Sequence, residues 1–435
     1  MRARKATVEL QYNGAAVKTS LKEFGEAFSY TDPAGGSSDS ISLTVGDPRY
    51  QWISAWLPHK GDQITAKISF ADRDGDDKTT TLDCGLFTLD DLSYSDNGGK
   101  AAFKMSGVSA PALDAFSATE RTQNWEKVTL KKVAQTIASR YKLQLVFDAT
   151  DVAISTQEQS SATDSSFLNQ LCNDYGLMLK VFRSKIVIFD REKYKKKDPV
   201  ATIPREEMSS FSWNTTLAGS YTGGTITYTD PKTKKDVTYT TGGGKRLLKS
   251  STKADNLADA KRKIEAAVTS ANHSITTISF QTMGRPDLCA GQTIMVTGVG
   301  RLSGKFYIDK KTDSLTSTSY TSKIEASQVP TTSDAVIVDA IQRLAAIGVI
   351  NSPGYWIGKH KSVKYLDDLL LQMATTILVN HDTGLYIGNP QEALDALVKY
   401  GVINSRDYWA ANMGKLQYIS DLICKAANAL PEIIQ

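Results

Sequence analysis

The sequence predicts a multidomain α+β protein: two β-rich stretches flank an α/β segment, and an all-α repeat region closes the chain. Three observations carry that expectation. Period-two alternation rich in Thr, Val, Ile and aromatic residues fills 1–112 and returns over 201–329. Between them, 113–200 switches to helical spacing interleaved with short strands. Beyond "PTTSD" (Pro330–Asp334), "GVINSPGYW" at Gly348–Trp356 recurs as "GVINSRDYW" at Gly401–Trp409. A chain of 435 residues exceeds one ordinary core, so several domains are expected.

The first stretch reads as five or six strands, among them "ATVELQY", "SISLTV", "ITAKISF", "TTTLDCGLFTLDDLSYS" and "AAFKMSGVS". Turn signals "DPAGG", "PHKGD", "DRDGDD" and "DNGG" separate them, which suits a small barrel or sandwich. "TLKKVAQTIASRYKL" then places Val133, Ile137 and Tyr141 on one helical face, with Thr129 as its start. The strand "QLVFDA" follows. Next comes a helix capped by Ser165 or Ser166 and stopped by Gly176, leading into a hairpin of "MLKVF" and "KIVIFD" turned at "RS". Over 201–329 the β pattern is interrupted once, by "ADNLADAKRKIEAAVTSAN" with Asp255 as its expected cap, so a second barrel carrying one helix is predicted.

The tail divides into repeat 1 at 333–378 and repeat 2 at 389–430. Ala340–Ala374 and Ala393–Ala427 align without a gap and share 13 of 35 positions. In each copy a short helix is expected to stop at Gly348 or Gly401, a glycine suited to the left-handed cap. A second helix starts at Ser352 with Pro353, or at Ser405 with Asp407. A third carries "VKYLDDLLLQMA" or "LQYISDLICKAA". Tyr355, Trp356, Tyr408 and Trp409 are either core anchors of these small units or an aromatic platform for a sugar or a partner helix.

Composition narrows the function classes. A formal net charge of +4 gives no reason to expect nucleic acid or an anionic membrane as partner. No run approaches a membrane span, and the basic start lacks the apolar stretch of a signal peptide. Cys84, Cys172, Cys289 and Cys424 lie far apart without metal-binding spacing, which suggests buried free thiols. The acidic run at 72–83 has Gly75 too early for a calcium loop and reads as a charged hairpin turn. "TTGGGKRLLKS" lacks the phosphate-loop pattern, and His59, His273, His360 and His381 form no catalytic or metal pairing. No catalytic residue, cofactor or metal site is therefore assigned, and the chain is not expected to be an enzyme.

Several segments resemble one family. "FGEAFSYTDPAGGSSDSISLTVGDPRYQWISAWLPHKGDQITAKI" is similar to the opening of the phage late control D family, the baseplate hubs of contractile tails and related injection systems. These are akin to the hub half of type VI secretion spikes. The likeness continues through "CGLFTLDDLSYS", "ATERTQNWEKVTLKKVAQTIASRYKLQLVFD" and "SSATDSSFLNQLCNDYGLMLKVFRSKIVIFD", covering about Ala27–Asp190 in the family's order.

The resemblance implies two tail-tube-like β-barrels per chain and a homotrimer that adapts a six-fold tail tube to a three-fold central spike. It implies the tail tube protein, the spike protein and a baseplate wedge or tape measure protein as partners. The location implied is the baseplate of a virion or bacteriocin-like particle assembled in the bacterial cytoplasm. The repeats weakly resemble modules appended to phage tail and wall-lysis proteins, which adds peptidoglycan as a candidate ligand. The alternative is a tail-tip protein that targets or degrades cell wall.

Overall fold

The computed structural model describes residues 5–17, 25–71, 78–98, 100–109, 116–182, 184–216, 219–230, 233–243 and 245–329. Beyond these it describes 341, 344–345, 348–350, 356, 369, 371–376, 389–400, 402–403 and 406–412. The described residues fall into two compact units. The first draws on Met1–Val200, Glu206–Ile294 and Phe306–Gln328, the second on Ala201–Arg205, Met295–Lys305 and Val329–Gln435.

The first unit begins with β1 (Lys5–Tyr12), β2 (Ala15–Val17), β3 (Gly25–Pro33), β4 (Ser40–Gly46), β5 (Gln63–Ala71), β6 (Thr79–Asn97) and β7 (Lys100–Val108). The expected strands are all present. Alternation decides their faces: Ile41, Leu43 and Val45 of β4 are buried while their neighbours are half-buried. The run β3-β4-β7-β6-β5-β1-β2 is antiparallel, and Val8, Phe28, Leu43, Ile68, Phe87 and Phe103 share one hydrophobic cluster. These strands thus share one core. The acidic turn at 72–77 lies outside the described residues.

The next segment comprises β8 (Glu120–Thr129), α1 (Leu130–Arg140), β9 (Gln144–Asp148), β10 (Ala153–Thr163), α2 (Asp164–Asp174), β11 (Leu177–Phe182), β12 (Lys185–Asp190) and α3 (Arg191–Lys195). Thr129 caps α1, its side chain accepting from Lys132 N, and Val133 and Ile137 are fully buried. α2 starts earlier than expected: Thr163, not Ser165 or Ser166, is the cap, because its side-chain oxygen accepts from Ser166 N. Gly176 ends that helix at φ +70, and β11 and β12 form the expected hairpin. Phe116, Trp125, Val133, Leu168, Leu179 and Ile188 belong to a core of this segment's own.

Then follow β13 (Thr202–Pro204), β14 (Met208–Thr215), β15 (Gly223–Thr229), β16 (Asp236–Gly242), β17 (Leu247–Ser250), α4 (Leu257–Asn272), β18 (Thr276–Met283), β19 (Thr293–Thr297), β20 (Gly304–Thr316) and β21 (Tyr320–Gln328). The cap of α4 is Asn256, whose side chain accepts from Asp259 N; Asp255 lies one residue too early. β15, β16 and β17 form a small separate sheet whose Ile226 and Tyr228 pack with Ile264 of α4. The other strands extend the large sheet in the order β14-β18-β21-β20-β3. Strands of both β-rich stretches therefore share one sheet through the antiparallel β20–β3 pairing.

The second unit contains the parallel pair β13–β19 and the described part of the tail, with α5 (Pro390–Lys399) and α6 (Arg406–Asn412). Asn389 caps α5 with Pro390 in its first turn. The two copies turn alike: Val349 N and Ile350 N donate to Leu344 O at 2.9 and 3.2 Å, and Val402 N and Ile403 N donate to Leu397 O at 2.9 and 3.2 Å. Gly348 has φ +77, the left-handed stop its position requires. Gly401, the starts at Ser352 and Ser405, and the second copy's third helix lie outside the described residues.

Candidate assembly surface and buried charge seam

The loop from β4 to β5 is tightly built although it carries no strand. Asp47, buried at its base, accepts from Gln51 N at 2.7 Å and Trp52 N at 2.9 Å. Trp56 N donates to Gln51 O at 2.9 Å, closing a helical turn. Trp52 stacks on Phe103 with ring centres 5.6 Å apart, and Trp56 stands edge-on to Trp52 at 5.7 Å. Tyr50 adopts φ +54 and donates its hydroxyl to Asp96 at 3.1 Å. This scaffold presents Tyr50, Ile53, Trp56 and Leu57 to solvent, each 43 to 48% exposed.

Nine large hydrophobic side chains are exposed among the described residues, and these four fall within eight positions. Scattered exposure is ordinary, but a concentrated, preorganised aromatic patch is the physical profile of a protein-binding surface. Arg49, His59 and Lys60 stand exposed near it in the chain, and the exposed Asp96 is the partner of Tyr50. His59 N donates to Asp62 at 2.7 Å, a turn-fixing bond. The signal was visible as the aromatic-dense turn "YQWISAWLPHKGD", but local pattern does not reveal which aromatics are buried.

A second feature was not legible at all. Where β3 meets β20, Asp32 lies opposite Lys311 and Tyr30 opposite Asp313. Lys311 Nζ lies 2.7 Å from Asp313 Oδ2, and Asp313 Oδ1 also accepts from Ser322 at 2.5 Å and Tyr320 at 3.0 Å. Asp32 pairs with Lys180 of β11 and accepts Ala290 N at 2.8 Å. Lys180 Nζ is also 2.9 Å from Asp39 Oδ1, while Tyr30 donates to Asp39 Oδ2 at 2.5 Å.

Asp32, Asp39, Lys311 and Asp313 are all at most 5% exposed. Burial disfavours the ammonium of Lys180, but Asp32 and Asp39 outweigh it and hold its pKa above the ordinary value. Burial pushes Asp39 up to about 6, with Lys180 opposing. Beside this cluster Gly36 N donates to Leu179 O at 2.9 Å. A side chain at Gly35 would meet Met178 at 2.8 Å, so this turn seats β11 closely.

A cleft of about 670 Å³ runs along the polar side of β14, β18 and β21, lined by Ser212, Asn214, Ser279, Glu325, Ser327 and His273 among others. His273 Nε2 lies 2.6 Å from Asp309 Oδ1, and Ser327 donates to Asp309 Oδ2 at 2.5 Å. The same three residue types serve serine hydrolases, but there the imidazole stands between serine and carboxylate. Here the carboxylate is central, so the Ser327 hydroxyl faces Asp309 and not the imidazole. Burial depresses the imidazole below its ordinary pKa despite Asp309. The arrangement pins the end of α4 to β20 and β21.

The predicted tail residues separate. Trp356 and Trp409 are buried, at 8 and 5% exposure, as core anchors would be. Tyr355 and the side chain of Tyr408 lie outside the described residues. Cys84 and Cys172 are buried free thiols as expected, whereas Cys289 is exposed, because the turn carrying it faces solvent. Cys424, His360 and His381 lie outside the described residues. Among the described residues no group of three or more His, Cys, Asp or Glu could hold a metal, and no helix is long and apolar enough to cross a membrane.

No protein-family model and no curated protein matches the chain. Solved structures do. The 43 kDa tail protein of prophage MuSo2 from Shewanella oneidensis is similar with a TM-score of 0.58 at 11% identity, covering 74% of this chain and 98% of that one. A tail protein from Neisseria meningitidis MC58 gives 0.57 at 13% identity, covering 74 and 96%. The E. coli c3393 protein, a type VI secretion component described as similar to the T4 tail proteins gp27 and gp5, matches at 0.44 and 12% identity, covering 74 and 76%. That last likeness is too slight to show a shared fold. The first two show that about three quarters of this chain has the fold of those tail proteins nearly end to end.

Proposed function

We propose that this chain is a structural hub of a contractile phage tail or a phage-tail-like particle. It acts as a homotrimer between the six-fold tail tube and the three-fold central spike, within the tail baseplate. The observation that carries this reading is the fold likeness that spans 98 and 96% of two tail proteins. The two β-rich stretches supply a tail-tube-like barrel each, so three chains present six similar units to the tube. Closed rings need self-compatible neighbouring surfaces, and such duplication within one chain meets six-fold and three-fold demands together. The aromatic loop at 47–62 provides the kind of surface such contacts use.

The tail repeats act as an accessory module that docks a baseplate neighbour such as a wedge or tape measure protein, or that contacts peptidoglycan. Burial of Trp356 and Trp409 supports a structural role for these two. Native mass spectrometry tests the hub reading. A trimer of the 47.4 kDa chain is expected, alone or on addition of its tail tube protein. A monomer under both conditions would sink it. Retention on purified cell walls with zymogram clearing would favour the wall-degrading alternative.

A further inference from the structure

The large sheet carries one arrangement twice. One set of four strands lies in the order β14-β18-β21-β20, and beside it a second lies in the order β3-β4-β7-β6. Numbered along the chain, both sets run first, second, fourth, third. Their registers coincide as well. The third strand of each set bulges against the fourth, at Asp309 between Ile308 and Lys310 and at Asp90 between Leu89 and Asp91. Setting Asp90 on Asp309 and counting through the pairings brings Ile41 onto Ile278, Ser42 onto Ser279, Phe28 onto Phe211 and Ser29 onto Ser212. It also brings a second pair of bulges together, at Glu26 and Ser209. A shared strand order alone does not put two bulges in step across three strand pairings.

The two sets meet where the third strand of one, β20, pairs with the first strand of the other, β3. The same two kinds of edge recur, unmatched, at the far ends. β14, the first strand of its set, ends the sheet with β18 as its one partner strand among the described residues. β6, the third strand of its set, pairs with β5 over Thr79–Thr88, and from Asp91 to Asn97 β7 is its one partner strand among the described residues. β14 is an unguarded edge. Its eight residues hold no charge and no proline, and all but Met208 and Phe211 are exposed, Trp213 at 53%.

We propose that β6 of one chain pairs antiparallel with β14 of a second copy, repeating between chains the junction that β20 and β3 make within one. The register transfers directly. Thr312 opposite Thr31 becomes Ser93 opposite Asn214, and Asp313 opposite Tyr30 becomes Tyr94 opposite Trp213. Tyr94 and Trp213 then form a cross-strand aromatic pair that covers the exposed indole. The contact joins unlike edges, so it runs head to tail and closes into a ring where the rotation allows. Closure at three chains rests on the hub reading; the pairing of these two edges does not.

Cysteine cross-linking in the full chain tests it. Thr31 Oγ1 and Thr312 Oγ1 lie 3.4 Å apart, so thiols at the corresponding positions should meet. Ser93→Cys combined with Asn214→Cys should give an interchain disulfide under mild oxidation, seen as covalent multimers up to the trimer on non-reducing gels, and neither single variant should. Ser93→Cys with Thr215→Cys is slipped by one residue, which puts the thiols on opposite faces, and should cross-link at least about tenfold less. In the otherwise natural sequence, Trp213→Lys should raise the concentration needed for assembly about thirtyfold while near-ultraviolet circular dichroism stays unchanged. An oligomer that forms without the cross-link between positions 93 and 214 overturns the pairing and leaves the hub reading standing. The cross-link in an assembly of another size upholds the pairing and overturns the three-chain hub. A monomer, alone and with the tail tube protein, overturns both. Equal cross-linking by the slipped pair overturns the register.

Discussion

Asp164 offers the sharpest stability test. It opens α2 and is fully buried, yet it accepts two bonds from Arg140 at 3.0 Å, one from Tyr141 at 2.7 Å and one from Gln159 at 2.9 Å, with Arg121 at 3.3 Å. In Asp164→Asn the shape is kept and the charge is removed. Arg140, whose side chain is 25% exposed, then loses its carboxylate beside Trp125. Removing one partner of a buried pair costs about 3–5 kcal/mol, and the partial exposure of both arginines places this case near the low end, about 3 kcal/mol. With a urea slope of about 2–3 kcal/mol/M, the midpoint should fall by about 1 M at pH 7.

The pH profile separates charge from packing. Burial would raise the Asp164 pKa, but bonds from Gln159, Tyr141 and Arg140 outweigh it and hold the carboxyl below the ordinary range. A depressed carboxyl stabilises above its unfolded value and loses that contribution as pH falls through the folded one. The gap between the natural protein and Asp164→Asn should therefore narrow below about pH 4. Urea titrations followed by near-ultraviolet circular dichroism would measure it. A gap under about 1 kcal/mol at pH 7, or one that stays constant down to pH 2, would refute the network's assigned weight.

Two further outcomes are expected. Ile53→Ser with Leu57→Ser should leave stability within about 0.5 kcal/mol, as surface changes do, while sedimentation velocity shows loss of assembly; unchanged assembly would remove the loop from the interface. Gly284→Ala would place a methyl 1.8 Å from the Tyr320 ring, which is held by Phe70 at 4.9 Å and by its bond to Asp313. Overpacking there should cost about 1–3 kcal/mol, read as a lower melting temperature, and a neutral result would contradict the packing at this turn.

Local pattern carried the elements well where one face of a segment is buried. β4 and α1 alternate or recur with their own period, and the structure places them accordingly. Caps slipped by one to three residues where several capping side chains stand in a row, as at Thr163–Ser166 and Asp255–Asn256. The Asn389–Pro390 start of α5 is a cap signal of the kind local pattern does carry. The β3–β20 pairing had no local signature, since Thr31 and Thr312 meet across 281 residues. Nor did the seam: charged residues at alternating positions read as a solvated face until the partner strand is known.

The seam also explains why that distant pairing has one register. Strand pairing is specified by which face is buried, and a slip of one residue exchanges the faces. Between apolar strands such a slip costs some burial. Between β3 and β20 it would turn Lys311 and Asp313 away from Tyr30 and Asp32 and leave buried charges without partners, which costs several kcal/mol each. A well-packed apolar seam could be as stable, but it would discriminate less between registers. Lys180 extends the same constraint to β11, because its ammonium reaches Asp32 and Asp39 only when the 33–39 turn is seated against Leu179. The charges that sequence patterning places outside are thus the ones that fix how the two β-rich stretches and the α/β segment come together.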